Sequence, residues 1–351
     1  MEGGFRGSER TAGDGSGRKS DAVTRLEALM AQEPAAMAVA VYENGVLTGI
    51  ASPAAAGLSL DASSPMRSAS NTKTFVAATV LSMWEAGELD LDDPVRARTS
   101  VLIADILRGG GYDVDRITIR HLLSHSAGLH DHADESFLDL ILEEPGRRWT
   151  REEQVRLCMT RGGPDTPAGT RFRYSDTGYI LLGDIIETRL GQPLASVVRE
   201  RMGFDALGLS TTWWEAMEPA PDGVSLHGRQ FFRNKDVFRF DPTMDLYGGG
   251  GLVMSASDLA KGMAAIFEGR LFRRKETLSE MLKPGSHEGG ADYRLGVFAS
   301  GDGEGRFFWH IGFWGSAAYY QPERGLSVAG YTSRRDDRSR LMLLIENGMM
   351  G

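Results

Sequence analysis

The chain has 351 residues, which at roughly 150 residues per domain predicts about two domains and a core that needs no disulfide or structural metal. Hydrophobic residues make up 41% and charged residues 25%, which excludes wholesale disorder, and the formal net charge of −9 argues against a nucleic-acid or anionic-membrane partner. The single cysteine, Cys158, excludes an internal disulfide scaffold.

Residues 1–20 are rich in glycine and polar side chains and are predicted to be a flexible polar tail. The tail contains no apolar segment of the kind found in secretory signal peptides, so we expect a cytoplasmic location; a different natural N-terminus would leave a periplasmic or secreted location open. No apolar run in the sequence reaches the ~18 residues needed to cross a bilayer.

Strand and helix patterns occur at both ends of the chain, with mostly helical patterns between them. Residues 21–30 are predicted to form a helix, 37–42 and 45–50 a hairpin around Asn44-Gly45, and 70–87 an apolar helix. Four consecutive glycines at 248–251 come after the helical region 91–234. The later predicted elements are a helix at 257–267, strands at 292–300, 305–311, 316–321 and 326–332, and a helix at 338–345.

This order predicts an α+β fold in which an antiparallel sheet is flanked by helices and a mainly helical domain is inserted. The sheet domain would comprise residues 21–90 and 235–351, and the helical domain residues 91–234. Ser70 would lie where the two meet.

Ser70 and Lys73 are three residues apart at the start of the predicted helix 70–87, which places their side chains on one face. A serine hydroxyl becomes a strong nucleophile only when a neighbouring group removes its proton, and a lysine of lowered pKa can do so. The spacing alone is a weak signal, because Ser16 and Lys19 repeat it within the polar tail. The Ser70–Lys73 pair differs from the Ser16–Lys19 pair because an apolar helix follows Ser70.

Two further motifs follow in the chain. Tyr174-Ser175-Asp176 precedes an apolar segment, and His310-Ile311-Gly312 lies between two predicted strands. The three motifs in this order resemble those of serine hydrolases of the penicillin-binding-protein and class C β-lactamase family. The resemblance extends to residues 117–129 and to the glycines at 248–251, and it covers the chain from about residue 21 onward.

The resemblance implies roles for individual residues. Ser70 would attack an ester or amide carbonyl and become acylated, and Lys73 with Tyr174 would handle the proton, the cation favouring the phenolate. The backbone N–H groups of Ser70 and Phe313 would form the oxyanion hole. Asp176, His310, Ile311 and Gly312 would contact the substrate. No metal or organic cofactor would be needed, and the partner would be a small ester, amide or peptide.

Three positions depart from the family pattern. His310 stands where many β-lactamases have lysine, a pattern nearer to the peptidases and esterases of the family. Asp176 replaces the usual asparagine. An asparagine amide can donate a hydrogen bond to a substrate carbonyl, whereas an ionised carboxylate can only accept. Asp176 should therefore keep Lys73 protonated and weaken the binding of the site to a substrate amide carbonyl. Ile311 replaces a hydroxyl residue that often binds a substrate carboxylate. These changes favour an esterase, or an amidase for neutral or apolar acyl groups, over a D-amino-acid peptidase or carboxypeptidase or a penicillin-binding β-lactamase. An alternative alignment matches Ser175-Asp176-Thr177 to the Ser-Asp-Asn motif of class A enzymes.

Other interpretations remain open at this point. The histidine-rich segment predicts a metallo-hydrolase as a minor alternative, although its pattern lacks the final histidine ligand; it comprises His121, His125, His130, Asp131, His132 and Asp134. A catalytically weak ligand-binding homologue is another alternative. Four aromatic residues could line an acyl pocket or could equally be ordinary core: Trp213, Trp214, Phe231 and Phe232.

Overall fold

The computed structural model describes residues 19–55, 57–224 and 228–350. The helices are α1 Asp21–Met30, α2 Thr72–Glu85, α3 Val101–Gly109, α4 Ile119–Leu123, α5 Glu135–Glu143, α6 Arg151–Thr160, α7 Asp176–Leu190, α8 Leu194–Arg201, α9 Ala256–Phe267, α10 Lys275–Leu282 and α11 Arg338–Met350. The strands are β1 Met37–Glu43, β2 Val46–Ala51, β3 Met66–Arg67, β4 Trp213–Trp214, β5 Phe231–Phe232, β6 Lys235–Asp236, β7 Leu252–Met254, β8 Phe298–Ser300, β9 Phe307–Gly312, β10 Ser316–Gln321 and β11 Leu326–Thr332.

The main sheet has six strands in the order β2-β1-β11-β10-β9-β8, and its five neighbouring pairs are all antiparallel. It joins the hairpin near the start of the chain to the strands near its end, which confirms the predicted α+β fold class. Alternate residues of β1 enter different apolar clusters, as side chains on a strand must. Val39 packs with α1 and α11 on one face, whereas Ala38 faces α2 and α9 on the other.

Helix α2 is the central helix of the molecule. All its residues from Thr72 to Met83 are buried, as expected for a helix that is apolar on every side. It contacts α7, α8 and α10. The core cluster around it draws residues from both predicted parts of the chain, among them Val76, Ile180 and Ala329. The two predicted domains therefore share one continuous core, and their boundaries stay a prediction.

The element predictions were confirmed for the main helices and strands, with differences in extent. The helix expected at 70–87 starts as a 3-10 turn, Ala69–Asn71, before α2 begins. The strand expected at 292–300 was too long, because the backbone turns where the Arg294 N–H donates to the Val297 carbonyl (2.8 Å) and Gly296 adopts a φ of +86°.

The predicted polar tail falls almost wholly outside the described residues. Among the residues the structure does describe, no helix has both the length and the apolar character to cross a membrane.

Candidate active site

Ser70 lies in the strained turn that leads into α2. Ala69, directly before it, has a φ of +46°, a left-handed conformation that is costly for a residue with a side chain. The surrounding structure holds the turn: the Ser68 N–H donates to the Leu252 carbonyl (2.9 Å), and Ala69 itself is buried. The turn presents Ser70, which is partly exposed, at the surface of a pocket.

Asn71 ties this turn to the edge of β9. In the amide orientation that satisfies both groups, its nitrogen donates to the His310 carbonyl (3.0 Å) and its oxygen accepts from the Gly312 N–H (3.2 Å). Gly312 passes so close to the turn that a Cβ on it would lie 2.2 Å from the Ser68 carbonyl oxygen. The buried amide thus fixes the distance between Ser70 and the third motif.

Lys73 is fully buried one turn after Ser70, and three groups surround its ammonium nitrogen. The Nζ atom lies 2.9 Å from Ser70 Oγ, 2.6 Å from the Gly249 carbonyl oxygen and 2.5 Å from Asp176 Oδ1. The glycine segment is needed here because Gly248 has a φ of +123° and a Cβ on it would lie 2.4 Å from the Tyr179 carbonyl oxygen. The predicted Ser70–Lys73 pair is therefore in contact.

Tyr174 completes the group around Ser70. The side chains of Ser70 and Lys73 are near enough to its hydroxyl to lower the pKa of Tyr174, and the Lys73 ammonium lies 5.3 Å from the centre of its ring. The ring of His125 packs against it with centroids 4.2 Å apart. Ser175 would be the serine of the Ser-Asp-Asn motif in the alternative alignment. It is buried, and its Oγ donates to the His130 carbonyl (2.8 Å).

Two further carboxyl groups surround the Lys73–Asp176 pair. Asp131 accepts a hydrogen bond from the Asp176 backbone N–H (3.1 Å), and Asp245 lies beside Gly250, on which a Cβ would meet its carboxylate oxygens. Burial, then the charge of Asp176, raises the pKa of Asp131 to about 7 and that of Asp245 to about 7. One ammonium group thus faces three carboxyl groups.

The surrounding charges and burial determine the protonation states of Lys73 and Tyr174 in the free protein. Burial lowers the pKa of Lys73, but the charges of Asp176, Tyr174 and Asp245 outweigh that effect and raise it above its ordinary value. Burial also raises the pKa of Tyr174, and the opposing effect of Lys73 is smaller. Both groups hold their protons at neutral pH in the free protein. Lys73 does favour the phenolate of Tyr174, but burial has the larger effect and Asp176 adds to it, so the phenol is the resting form.

The pocket that contains Ser70 is small, with a volume of about 60 Å³, which holds roughly four to six water-sized groups. Asp176 and Asp245 form its polar wall. Its other lining residues are His132, Ala133, Phe137, Leu138, Ile141, Met244, Phe313 and Trp314. The aromatic residues suggested by the sequence are not among them. Phe232 lies behind the wall, packed against Phe313 with ring centroids 5.1 Å apart.

The third motif lies at the end of β9, beside the turn of Ser70. His310 is buried, and burial followed by Lys73 lowers its pKa to about 3, so it is a neutral group. Ile311 packs into the cluster on the opposite face of the sheet, so its side chain is directed away from Ser70. Phe313 follows Gly312 and lines the pocket. The oxyanion-hole and substrate-contact roles of this segment stay predictions.

The histidine-rich segment is used for packing and hydrogen bonding. His125 Nδ1 accepts from the Ser175 N–H (3.2 Å), His130 Nδ1 lies 2.7 Å from the Arg173 guanidinium, and His132 Nδ1 lies 3.0 Å from Thr177 Oγ1. Within residues 19–55, 57–224 and 228–350, no group of three or more His, Cys, Asp and Glu side chains has the arrangement of a metal site.

Sequence reasoning missed Asn71 and Asp245. Asn71 stands inside the Ser70-Asn71-Thr72-Lys73 motif, but only the packed fold reveals its partners on β9. Asp245 lies just before the glycines 248–251. Because glycine allows a side chain to approach the backbone closely, this proximity could have indicated a side chain packed against the glycine segment. Asp131 was considered only as a metal ligand.

Comparisons with known proteins agree with this geometry. The profile of the family described as "Beta-lactamase" matches residues 24–345. A D-stereospecific amidohydrolase from Streptomyces sp. has a similar solved structure, with a TM-score of 0.74 and 26% identity over 90% of this chain and 94% of that one.

Curated relatives match shorter segments. Penicillin-binding protein 4 of Amycolatopsis lactamdurans is 33% identical over 49% of this chain and 42% of its own length. Esterase EstB of Burkholderia gladioli is 29% identical over 57% of this chain and 56% of its own. The chain spans about half the length of the curated relatives it matches.

Proposed function

The chain belongs to the beta-lactamase family, and on that premise we propose that it is a serine hydrolase that forms an acyl-Ser70 intermediate with small esters or amides whose acyl group carries a free ammonium. The observation that carries the proposal is the position of Ser70 in a small pocket walled by Asp176 and Asp245. The nucleophile and its proton-handling partners supply the reaction, and the carboxylates supply the substrate preference.

Acylation would proceed by transfer of one proton within the cluster. Lys73 donates to Ser70 Oγ at 2.9 Å, which leaves the hydroxyl proton of Ser70 directed toward Tyr174. The phenolate of Tyr174 would take that proton as Oγ attacks the carbonyl carbon, and the phenol would then give it to the leaving alcohol or amine. In deacylation the same phenolate would take a proton from water as the water oxygen attacks the acyl carbon, and would give that proton to Ser70 Oγ as the acyl–Oγ bond breaks, which releases the acid and restores the free serine and the phenolate.

A positive charge on the substrate would assist this cycle. An ammonium group between Asp176 and Asp245 would offset the charge of Asp176, which raises the pKa of Tyr174, and so would increase the fraction of phenolate. A substrate carboxylate in the same place would meet like charges. This disfavours the alternatives that bind a free carboxylate, namely penicillin hydrolysis and D-Ala-D-Ala carboxypeptidase activity.

The size of the pocket supports a small acyl group. Its volume of about 60 Å³ suits an alanyl group, whose methyl would contact Ile141, Met244 or Trp314. The D configuration is proposed because an amidohydrolase from Streptomyces sp. that shares the fold is D-stereospecific. The similarity to esterase EstB supports acceptance of an ester leaving group, so we expect the ester of a given acyl group to react faster than its amide.

Hydrolysis of D-alanine p-nitroanilide and of propionyl p-nitroanilide, which differ only by the ammonium group, tests the proposal. The first should react with at least a tenfold higher kcat/KM, equivalent to about 1.4 kcal/mol. Asp245→Asn should reduce the difference by raising KM for the D-alanine substrate. Asp222→Asn, at an exposed position, is the control. Equal rates with the two substrates in the wild-type protein would contradict the proposed substrate class.

A further inference from the structure

A second cavity is separate from the pocket of Ser70. It has a volume of about 400 Å³ and shares no lining residue with that pocket. The ring of Tyr293 lies between them: it lines the large cavity and packs against His125, whose ring in turn contacts Tyr174. The reaction proposed above makes no use of this cavity.

Arg294 gives the cavity its charge. Its side chain lines the cavity but is only 4% exposed, and within residues 19–55, 57–224 and 228–350 it makes no ion pair. One hydrogen bond holds it, from an Nη atom to the Gly290 carbonyl (2.9 Å), whereas its Nε has no partner. Arg306 is a nearby like charge, and the opposing effect of Asp292 is smaller. A buried guanidinium without a counter-ion is strongly unfavourable.

Two imidazoles add hydrogen-bond donors to the same cavity. His121 Nδ1 accepts from the Thr118 N–H (3.2 Å), so in the neutral ring the proton is on Nε2, on the side of Gly169. His287 Nε2 is buried and has no partner within the described part of the chain. Burial lowers the pKa of both rings, so at neutral pH they carry little charge and each has one N–H to donate.

The remaining charges at the wall partly cancel. Arg120 is paired with Asp92 (2.8 Å) and with Glu280, and Lys283 lies 4.0 Å from Glu280. Three cationic side chains therefore line the cavity against two carboxylates. The surplus charge belongs to Arg294, because the other two cations have acidic neighbours.

We propose that this cavity binds a small oxyanion, either free or as the phosphate or carboxylate group of a larger molecule, with the guanidinium of Arg294 as its counter-ion. The flat guanidinium forms parallel hydrogen bonds to two oxygen atoms, and the imidazoles of His121 and His287 donate to the others. The volume exceeds that of a single inorganic ion and leaves room for an organic group.

Thermal unfolding in sodium phosphate, sodium sulfate, sodium acetate and sodium chloride at equal ionic strength tests the proposal. Phosphate should raise Tm by several degrees above chloride in the wild-type protein and in Arg148→Gln, an exposed arginine used as the control. The rise should be absent in Arg294→Gln. A larger rise in Tm with acetate than with phosphate would also support an oxyanion site, and would identify the ligand as a carboxylate.

If Arg294→Gln does not fold, His287→Gln and calorimetric titration of the wild-type protein with phosphate replace it. His287→Gln should weaken phosphate binding severalfold. Identical Tm values in phosphate and chloride, or a phosphate effect that persists unchanged in the folded variants, would overturn the proposal. None of these measurements depends on hydrolysis, so they are independent of the function proposed for Ser70.

Discussion

The Asp176 carboxylate lies 2.5 Å from the Lys73 ammonium nitrogen, inside the cluster that contains the nucleophile. Asparagine is the usual residue at this position in the motif, and its neutral amide would leave the lysine pKa closer to the value set by burial. The carboxylate instead raises the pKa of the lysine, and together with burial, the larger effect, it raises the pKa of Tyr174, so both groups stay protonated. Activity should therefore increase as the pH rises above neutrality.

Asp176→Asn should shift the ascending limb of the pH–rate profile to lower pH. Removal of this charge lowers the pKa of both Lys73 and Tyr174, since Asp176 raises each of them. The profile of kcat/KM measured with a neutral ester, for which the ammonium preference does not matter, checks the direction. The variant should also be acylated faster by β-lactams. Asp222→Asn is the control, and an unchanged profile in Asp176→Asn would refute the electrostatic role of Asp176.

Asp245→Asn should make the protein more stable at alkaline pH. Burial raises the folded-state pKa of this carboxyl from 3.8 to about 7, so its stabilising contribution is fully present below pH 3.8 and is lost as the pH rises through 7. The variant should show a smaller fall in the free energy of unfolding between pH 4 and pH 7. At pH 8 it should exceed the wild type by on the order of 1 kcal/mol. Urea unfolding at several pH values measures this; equal pH dependence in both proteins would be inconsistent with a carboxyl destabilised by burial.

Asn71→Ala should loosen the connection between the turn of Ser70 and β9. The buried amide bonds the His310 carbonyl and the Gly312 N–H, and both are left without partners in the variant. The expected cost is about 1–3 kcal/mol in the free energy of unfolding. The turnover number should fall more than the apparent affinity, because Ser70 is displaced relative to Phe313. Gln192→Ala, on the surface, is the control. A stable variant with wild-type kcat would argue against a positioning role.

Removal of metal ions separates the serine and metal mechanisms. Treatment with EDTA should leave hydrolysis unchanged, because the proposed reaction uses only Ser70, Lys73 and Tyr174. Loss of activity that zinc restores would instead favour the metallo-hydrolase alternative.

The nucleophile cluster could be predicted because three motifs, in one order along the chain, resemble those of the penicillin-binding-protein and class C β-lactamase family. Ser70 and Lys73 share one helix face, and Tyr174 precedes the apolar helix α7 that carries it to them. A single sheet built from both ends of the chain could be predicted, because strand patterns flank a mostly helical region, but the order of its strands was not predicted.

The electrostatics could not be predicted in the same way. Asp131 and Asp245 are more than a hundred residues apart and meet Lys73 only in the packed fold. Their pKa values depend on burial, which no local pattern reveals. The direction of the Ile311 side chain likewise depends on which face of the sheet this position of β9 occupies. The preference for neutral acyl groups was inferred without Asp245, and this residue is the reason that the proposed substrate is now cationic.

The most direct test of the central claim is mass spectrometry after labelling with a fluorophosphonate probe. We expect one modified residue, Ser70, and complete loss of labelling in Ser70→Ala. Ser16→Ala is the matched control, because Ser16 and Lys19 have the same spacing as Ser70 and Lys73 without the apolar helix. Labelling that survives in Ser70→Ala, or that maps to another serine, would contradict the assignment of Ser70 as the nucleophile.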